Sequence, residues 1–299
     1  MDSSAYVVDF IVTPTSPTNY TFRADTTYLI NGPVNLNTTP NNSITFEGGT
    51  VIKFAPGVGA GLNVNGPATW LGSATQPVVL TARDDSSIGD TIGDGVINGY
   101  YAETALNLNG PPGTSYNITG LRILHAKNGI MLNRAAAYQF THIQACHCQN
   151  VISTPGPSFT IRNALMANVE SCFVSTAPAG AIPSGQVQHL TVDGATWLNK
   201  NQALSISYVN CLLVGILNTP TAVGASSAVA SSPSGIFQSV IGGGHYLANN
   251  GYRNVGITSI DSDLKRFSAH DDRSTDCGDG QLYEKRDGLA AGAWRHRCS

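Results

Sequence analysis

The middle of the chain reads Ile118-Thr-Gly-Leu-Arg-Ile-Leu-His-Ala-Lys-Asn-Gly-Ile130, and 22 residues later it reads Phe140-Thr-His-Ile-Gln-Ala-Cys-His-Cys-Gln-Asn-Val-Ile152. At this offset apolar residues align with apolar residues, and Asn aligns with Asn. Shorter copies follow at residues 159–165, 187–194 and 209–212. A short unit that recurs at a nearly fixed spacing is typical of a fold in which each unit packs only on its neighbours.

Apolar and polar residues also alternate in the first hundred residues, and Gly, Asn, Pro and Ser separate the alternating segments. The apolar pairs lie 16 to 18 residues apart, so we expect each pair to mark one turn of a coil: Tyr28/Ile30, Ile44/Phe46, Leu62/Val64 and Val78/Leu80. The pattern predicts an all-β chain that forms a right-handed parallel β-helix, with two or three short strands in each turn. Asn128 and Asn150 would then lie one turn apart and form an amide ladder.

The segment Gly48-Gly-Thr-Val-Ile-Lys-Phe54, the Asn-rich coils and the turn at Val209-Asn-Cys-Leu212 resemble the bacterial right-handed parallel β-helix repeat proteins. The best-known relatives in this pectate-lyase-like superfold are pectate lyases and polygalacturonases. The resemblance covers roughly residues 28 to 260. The resemblance implies the fold but no particular activity, because the superfold includes enzymes, adhesins and passive stalks. Polygalacturonase-like enzymes carry Gly-His-Gly and Arg-Ile-Lys motifs, but this chain has Gly242-Gly-Gly-His245 and Arg122-Ile-Leu124.

The composition of the chain narrows the range of partners. Only 12% of the residues are charged and the formal net charge is −3, so no basic surface is available for nucleic acid. The sequence contains no apolar stretch of the roughly 18 residues that a membrane-spanning helix needs, so we expect no membrane insertion. We expect a secreted or cell-surface protein whose signal peptide is absent from the given chain.

Four of the six Cys, and the two Trp at positions 70 and 197, are expected in the core.

We predict one β-helix domain over residues 1–266. A loop insertion at about residues 83–104, here called the acidic loop, interrupts the periodicity. Small residues at about 222–234 indicate a low-complexity crossing between turns. Residues 267–299 are richer in charge and lack the repeat, so they form either a cap or a disordered tail.

The acidic loop contains the first candidate site. Asp84, Asp85, Asp90 and Asp94 fall within eleven residues that are otherwise small and poor in Lys. Hard oxygen ligands on a Gly-containing loop suit calcium, although the spacing is not that of an EF-hand. Calcium would stabilise the loop or act as a Lewis acid in catalysis, and a solvated acidic turn is the alternative.

The second candidate site is a pair of histidines. His125 and His147 are equivalent at the 22-residue offset, so we expect their rings about one strand spacing, ~4.8 Å, apart on the same face. Such a pair would perform acid–base catalysis or bind a transition metal, or it would be purely structural.

These observations leave three hypotheses about function. The first is a module that binds polysaccharide or another extended surface ligand along a flat face, with calcium at most structural. The second is a calcium-dependent hydrolase or lyase acting on a polysaccharide or a small ester or lactone. In that case the four Asp residues hold the metal, and His125 or His147 is the base. The third is a passive stalk of a larger surface protein.

Overall fold

The computed structural model describes residues 10–36, 43–134, 137–201, 204–220, 223–224, 226–238, 245–249, 251–252 and 256–257. These residues form an all-β structure in which parallel strands stack as a β-solenoid of about eight turns, so the predicted parallel β-helix is confirmed. Within these residues, no helix is long and apolar enough to cross a membrane. The predicted tail at residues 267–299 lies outside the described residues.

The strands are, in chain order, β1 (Ile11–Val12), β2 (Tyr20–Phe22), β3 (Thr27–Ile30), β4 (Pro33–Leu36), β5 (Ile44–Glu47), β6 (Val51–Phe54), β7 (Gly61–Val64), β8 (Thr69–Leu71), β9 (Val78–Ala82), β10 (Thr104–Leu108), β11 (Ser115–Leu124), β12 (Asn128–Leu132), β13 (Ala137–Cys146), β14 (Asn150–Thr154), β15 (Phe159–Ser175), β16 (Ser184–Lys200), β17 (Ser205–Val209), β18 (Leu212–Asn218) and β19 (Ala228–Ala230).

Each turn contributes to three faces of the solenoid. The first face holds β1, β3, β6 and β9, then parts of β11, β13, β15, β16 and β18, and finally β19. The second face holds β4, β7, β10, β12 and β14, followed by the later parts of β15, β16 and β18. The third face holds β2, β5 and β8, then the early parts of β11, β13, β15 and β16, and β17.

The 22-residue repeat is confirmed by the strand register. Ile118 pairs with Phe140, and Asn128 pairs with Asn150. The amide of Asn150 donates to Oδ1 of Asn128 at 3.1 Å, as the ladder prediction requires.

The 16- to 18-residue turn expected in the first hundred residues is wrong. Tyr28 pairs with Ile52, and Ile52 pairs with Leu80, so successive turns take 24 and 28 residues. The four apolar pairs do not occupy one column, because Ile44 belongs to the third face and Leu62 to the second. Every strand points its apolar side chains at the same core. The apolar pairs therefore mark successive faces of one turn, not successive turns.

The core is a continuous column of apolar side chains with stacks of aromatic rings in it. Phe46 stacks between Phe22 and Trp70, with ring centroids 4.8 and 4.0 Å away. Cys148, Cys172 and Cys211 are buried free thiols, which agrees with their prediction as small core residues. Trp197 differs from its prediction, because 36% of its surface is exposed.

Candidate functional site

The acidic loop leaves the first face after β9 and reaches the second face at β10. It folds back over the outer side of the first face, where Ile88 packs on a cluster that includes Val51 and Val79. The backbone N–H of Asp90 donates to Oγ1 of Thr27 at 2.9 Å. The loop therefore covers the outside of the early turns of the solenoid.

Lys53 anchors the loop from below. Its side chain is fully buried, and its amine donates to the backbone carbonyls of Asp85 and Asp90, at 2.6 Å each. Burial lowers the pKa of Lys53, and the negative charges of Asp85, Asp90 and Asp84 oppose that shift. A buried ammonium is stable only when its donors are satisfied, which the two carbonyls achieve in part.

The carboxylate of Asp84 is held by protein groups. Arg83 donates to both of its oxygens, at 2.9 and 3.1 Å, and the hydroxyl of the buried Tyr101 donates to Oδ2 at 2.5 Å. Burial by itself would raise the pKa of Asp84, but the hydrogen bonds from Arg83 and Tyr101 outweigh it and the pKa is lowered. Asp84 is therefore ionised at neutral pH.

The carboxylate of Asp85 is also held by protein groups. It accepts hydrogen bonds from the hydroxyl of Thr81 at 2.6 Å, and from the hydroxyl and backbone N–H of Ser87 at 2.6 and 3.0 Å. These bonds outweigh burial, so the pKa of Asp85 is lowered. Asp94 is less buried, and its Oδ1 accepts from the N–H of Val96 at 3.0 Å.

The four Asp residues predicted as calcium ligands thus lie on one loop but are not gathered around one point. Within the described ranges, no group of three or more His, Cys, Asp or Glu side chains is placed to hold a metal ion. Asp84 and Asp85 direct their carboxylates at protein donors, and both are almost fully buried. Calcium binding by the loop stays a prediction.

His125 and His147 lie where the chain turns from the first face to the second. Both have left-handed backbone, with φ of 55° and 53°. Their rings stack with centroids 5.3 Å apart and an interplanar angle of 4°. This confirms the prediction that the two rings lie one strand spacing apart on the same face. Burial lowers the pKa of both rings, and for His125 the charge of His147 lowers it further while that of Asp85 raises it. Neutral imidazoles at pH 7 suit a general base, but their role in catalysis stays a prediction.

The third face carries an ordered polar surface that sequence reasoning missed. Its outward positions in the later turns form five registered rows of three, and we call this array the polar face. The rows are Ser115, Asn117 and Thr119; Ala137, Gln139 and Thr141; Ser158, Thr160 and Arg162; Ser184, Gln186 and Gln188; and Ser205, Ser207 and Val209.

The polar face is exposed along its first column, partly buried along its third, and nearly free of charge. A shallow groove of about 610 Å³ runs across its first two columns, from Gln139 to Ser207. Arg162 is its one charged residue, and its Nε donates to Oε1 of Gln188 at 3.4 Å. The hydroxyls of Ser158 and Ser184 are 2.7 Å apart, so one donates to the other between neighbouring turns. A signal for this surface was present in the sequence. In each alternating segment the apolar residues indicated the core, and the polar residues between them mark the outward surface.

Comparison of the chain with protein-family models, with curated proteins and with solved structures gave no match.

Proposed function

We propose that this chain is a secreted or cell-surface β-helix module that binds polysaccharide along the polar face. The observation that carries the proposal is the exposed array of hydroxyl and amide groups, registered over five turns and nearly uncharged. We place the module in the bacterial pectate-lyase-like superfold, on the support of its parallel solenoid and its Asn-rich turns.

The chemistry of the polar face suits a long, neutral, hydroxyl-rich ligand. Side chains on neighbouring turns lie ~4.8 Å apart, so equivalent donors and acceptors repeat at a constant interval. Each hydrogen bond contributes only about 0.5–1.5 kcal/mol, but a chain-like ligand makes several at once. Stacked strands hold the side chains in place, which reduces the entropy lost on binding.

The alternative is a calcium-dependent hydrolase or lyase that acts on a polysaccharide or on a small ester or lactone. Binding is preferred because the polar face offers an exposed surface, whereas Asp84 and Asp85 already accept hydrogen bonds from protein groups. A passive stalk would show neither binding nor turnover.

The test is retention of the full chain on insoluble cellulose, xylan and chitin. The double variant Gln139→Ala/Gln186→Ala removes two exposed amides from the second column of the groove, two turns apart, and its affinity should fall about tenfold. The control is Lys127→Ala, an exposed substitution between β11 and β12 and outside the polar face. Wild-type affinity in the double variant, or no retention of the wild type on any of the three polymers, would contradict the proposal.

A further inference from the structure

A second exposed surface lies on the second face, beside the corner that carries His125 and His147. Gln149 and Glu170 follow that corner on successive turns, and the amine of Lys200 contacts Oε1 of Glu170 at 2.6 Å. Hydrogen bonds from Lys200 and Gln149 lower the pKa of Glu170, so its carboxylate is charged at neutral pH. The charges of Glu170 and Lys200 balance, which leaves the surface close to neutral.

An exposed tryptophan lies at one end of this surface. Trp197 pairs with Ser171, the neighbour of Glu170, and it belongs to the same strand as Lys200. The side chain is 36% exposed, whereas Trp70 is 9% exposed in the core. A tryptophan ring offers a large flat apolar surface together with one N–H donor, which suits contact with an amphipathic ligand.

An exposed tyrosine lies at the other end. The N–H of Tyr101 donates to the carbonyl of His125 at 2.8 Å, which fixes the end of the acidic loop against the corner. The preceding residue, Tyr100, is 45% exposed. Partial burial raises the pKa of Tyr100, and the negative charge of Glu170 raises it further.

The two rings therefore flank a polar centre. The corner residues run from His125 through His147 and Asn168 to Gly194, three turns in all, and Trp197 follows Gly194 closely. Ala102 pairs with Ala126, so Tyr100 lies one further turn before His125. At ~4.8 Å per turn, Tyr100 and Trp197 are four turns, or roughly 19 Å, apart along the solenoid axis. We call this surface the aromatic strip; it consists of Tyr100, Gln149, Glu170, Trp197 and Lys200.

We propose that the aromatic strip is a binding site for a neutral oligosaccharide. A sugar ring has flat C–H faces and a rim of hydroxyls, so it stacks on an aromatic ring and hydrogen-bonds sideways. Tyr100 and Trp197 supply the two platforms, and Gln149, Glu170 and Lys200 supply donors and acceptors between them. A protein partner would instead favour a contiguous apolar centre. The site lies on another face from the polar face and does not depend on it.

The test is isothermal titration calorimetry of the full chain with cellohexaose, xylohexaose, chitohexaose and mannohexaose, and with hexagalacturonate as an acidic counterpart. We expect at least one neutral hexasaccharide to bind and hexagalacturonate to bind at least tenfold more weakly. Trp197→Ala and Tyr100→Ala should each weaken that affinity about tenfold or more, and Trp197→Phe should retain most of it. Binding should also change the tryptophan emission of the wild type.

The polar-face double variant Gln139→Ala/Gln186→Ala is the control that separates the two sites. Its retention on the insoluble polymers should weaken about tenfold, and its loss of hexasaccharide affinity should be smaller than that of Trp197→Ala. Circular dichroism melts will show whether Trp197→Ala and Tyr100→Ala stay folded. Wild-type affinity in both strip variants, a preference for hexagalacturonate, or no binding of any neutral hexasaccharide would overturn the proposal.

Discussion

His125 and His147 satisfy two demands at once. Each takes up left-handed backbone at the corner, which is rare outside Gly, Asn, Asp and His. Each also stacks its ring on the other, which places two ionisable groups one turn apart. Asn168 occupies the next corner with φ of 52°, so the corner itself does not require histidine. The consequence of choosing histidine is a dependence on pH.

Acidification should destabilise the fold through this pair. Both folded-state pKa values are lowered from the usual value near 6.5. Below that pH the unfolded chain binds protons that the folded chain does not bind, so the free energy of unfolding falls as pH decreases from about 7 to 5. Asp85, whose charge favours protonated His125, makes the fall smaller. Urea unfolding at a series of pH values will measure it.

The matched variant is His125→Asn/His147→Asn, which keeps a residue that tolerates left-handed backbone at both corners. Its free energy of unfolding should depend less on pH in this range, with a residual slope from His142, whose pKa is also lowered. A pH dependence equal to that of the wild type would assign the effect to other groups.

At the scale of elements, the acidic loop depends on a residue from another turn. Lys53 lies in β6, and its amine bonds to two loop carbonyls while Ile88 covers the apolar surface nearby. The loop is thus packed against the first face through a buried charge. Within the loop, the carboxylates of Asp84 and Asp85 accept hydrogen bonds from Tyr101 and Thr81, respectively.

Lys53→Met should loosen the loop. The substitution keeps the length of the side chain but leaves two carbonyls without a donor, which costs about 1–3 kcal/mol of stability. Amide hydrogen exchange at residues 85–95 should become faster in the variant. The control Lys127→Met removes an exposed ion pair with Glu103 and should cost less than about 1 kcal/mol. Unchanged exchange in the Lys53 variant would show that the amine does not anchor the loop.

The sequence predicted the parallel repeat and the neighbourhood of the two histidines, because the 22-residue offset preserves both side-chain type and register. It did not predict the length of the early turns, because apolar pairs on three faces look alike when all of them point inward. The surroundings of Asp84 and Lys53 were equally invisible. Arg83 is the chain neighbour of Asp84, but Tyr101 and the two carbonyls that Lys53 contacts are 17 to 37 residues away, and no local pattern encodes such contacts.

At the scale of the whole molecule, the solenoid is a stack of units that contact only their neighbours. Deletion of residues 126–147 removes one complete turn and joins His125 to Cys148, so every registered pair can re-form one turn further on. The shortened chain should fold, with a smaller free energy of unfolding and a smaller denaturant m-value because less surface is buried.

The control is deletion of residues 126–146, which is one residue shorter. It shifts the register by one and turns core side chains outward, so it should not give a folded product. Circular dichroism and urea titration of both proteins will compare them. Equal behaviour of the two deletions would contradict the model of independent, registered turns.

The Asn ladder of the second face has a direction. Asn63 donates to Asn35, Asn107 donates to Asn63, and Asn133 donates to Asn107, at 3.1, 2.9 and 2.5 Å. Because every amide points the same way, the small dipoles add and polarise one another. The ladder is positive at its Asn35 end and negative at its Asn133 end. The ladder is consequently electrically polar, and an elongated ligand that lies along it with a dipole of its own would meet it in two unequal orientations.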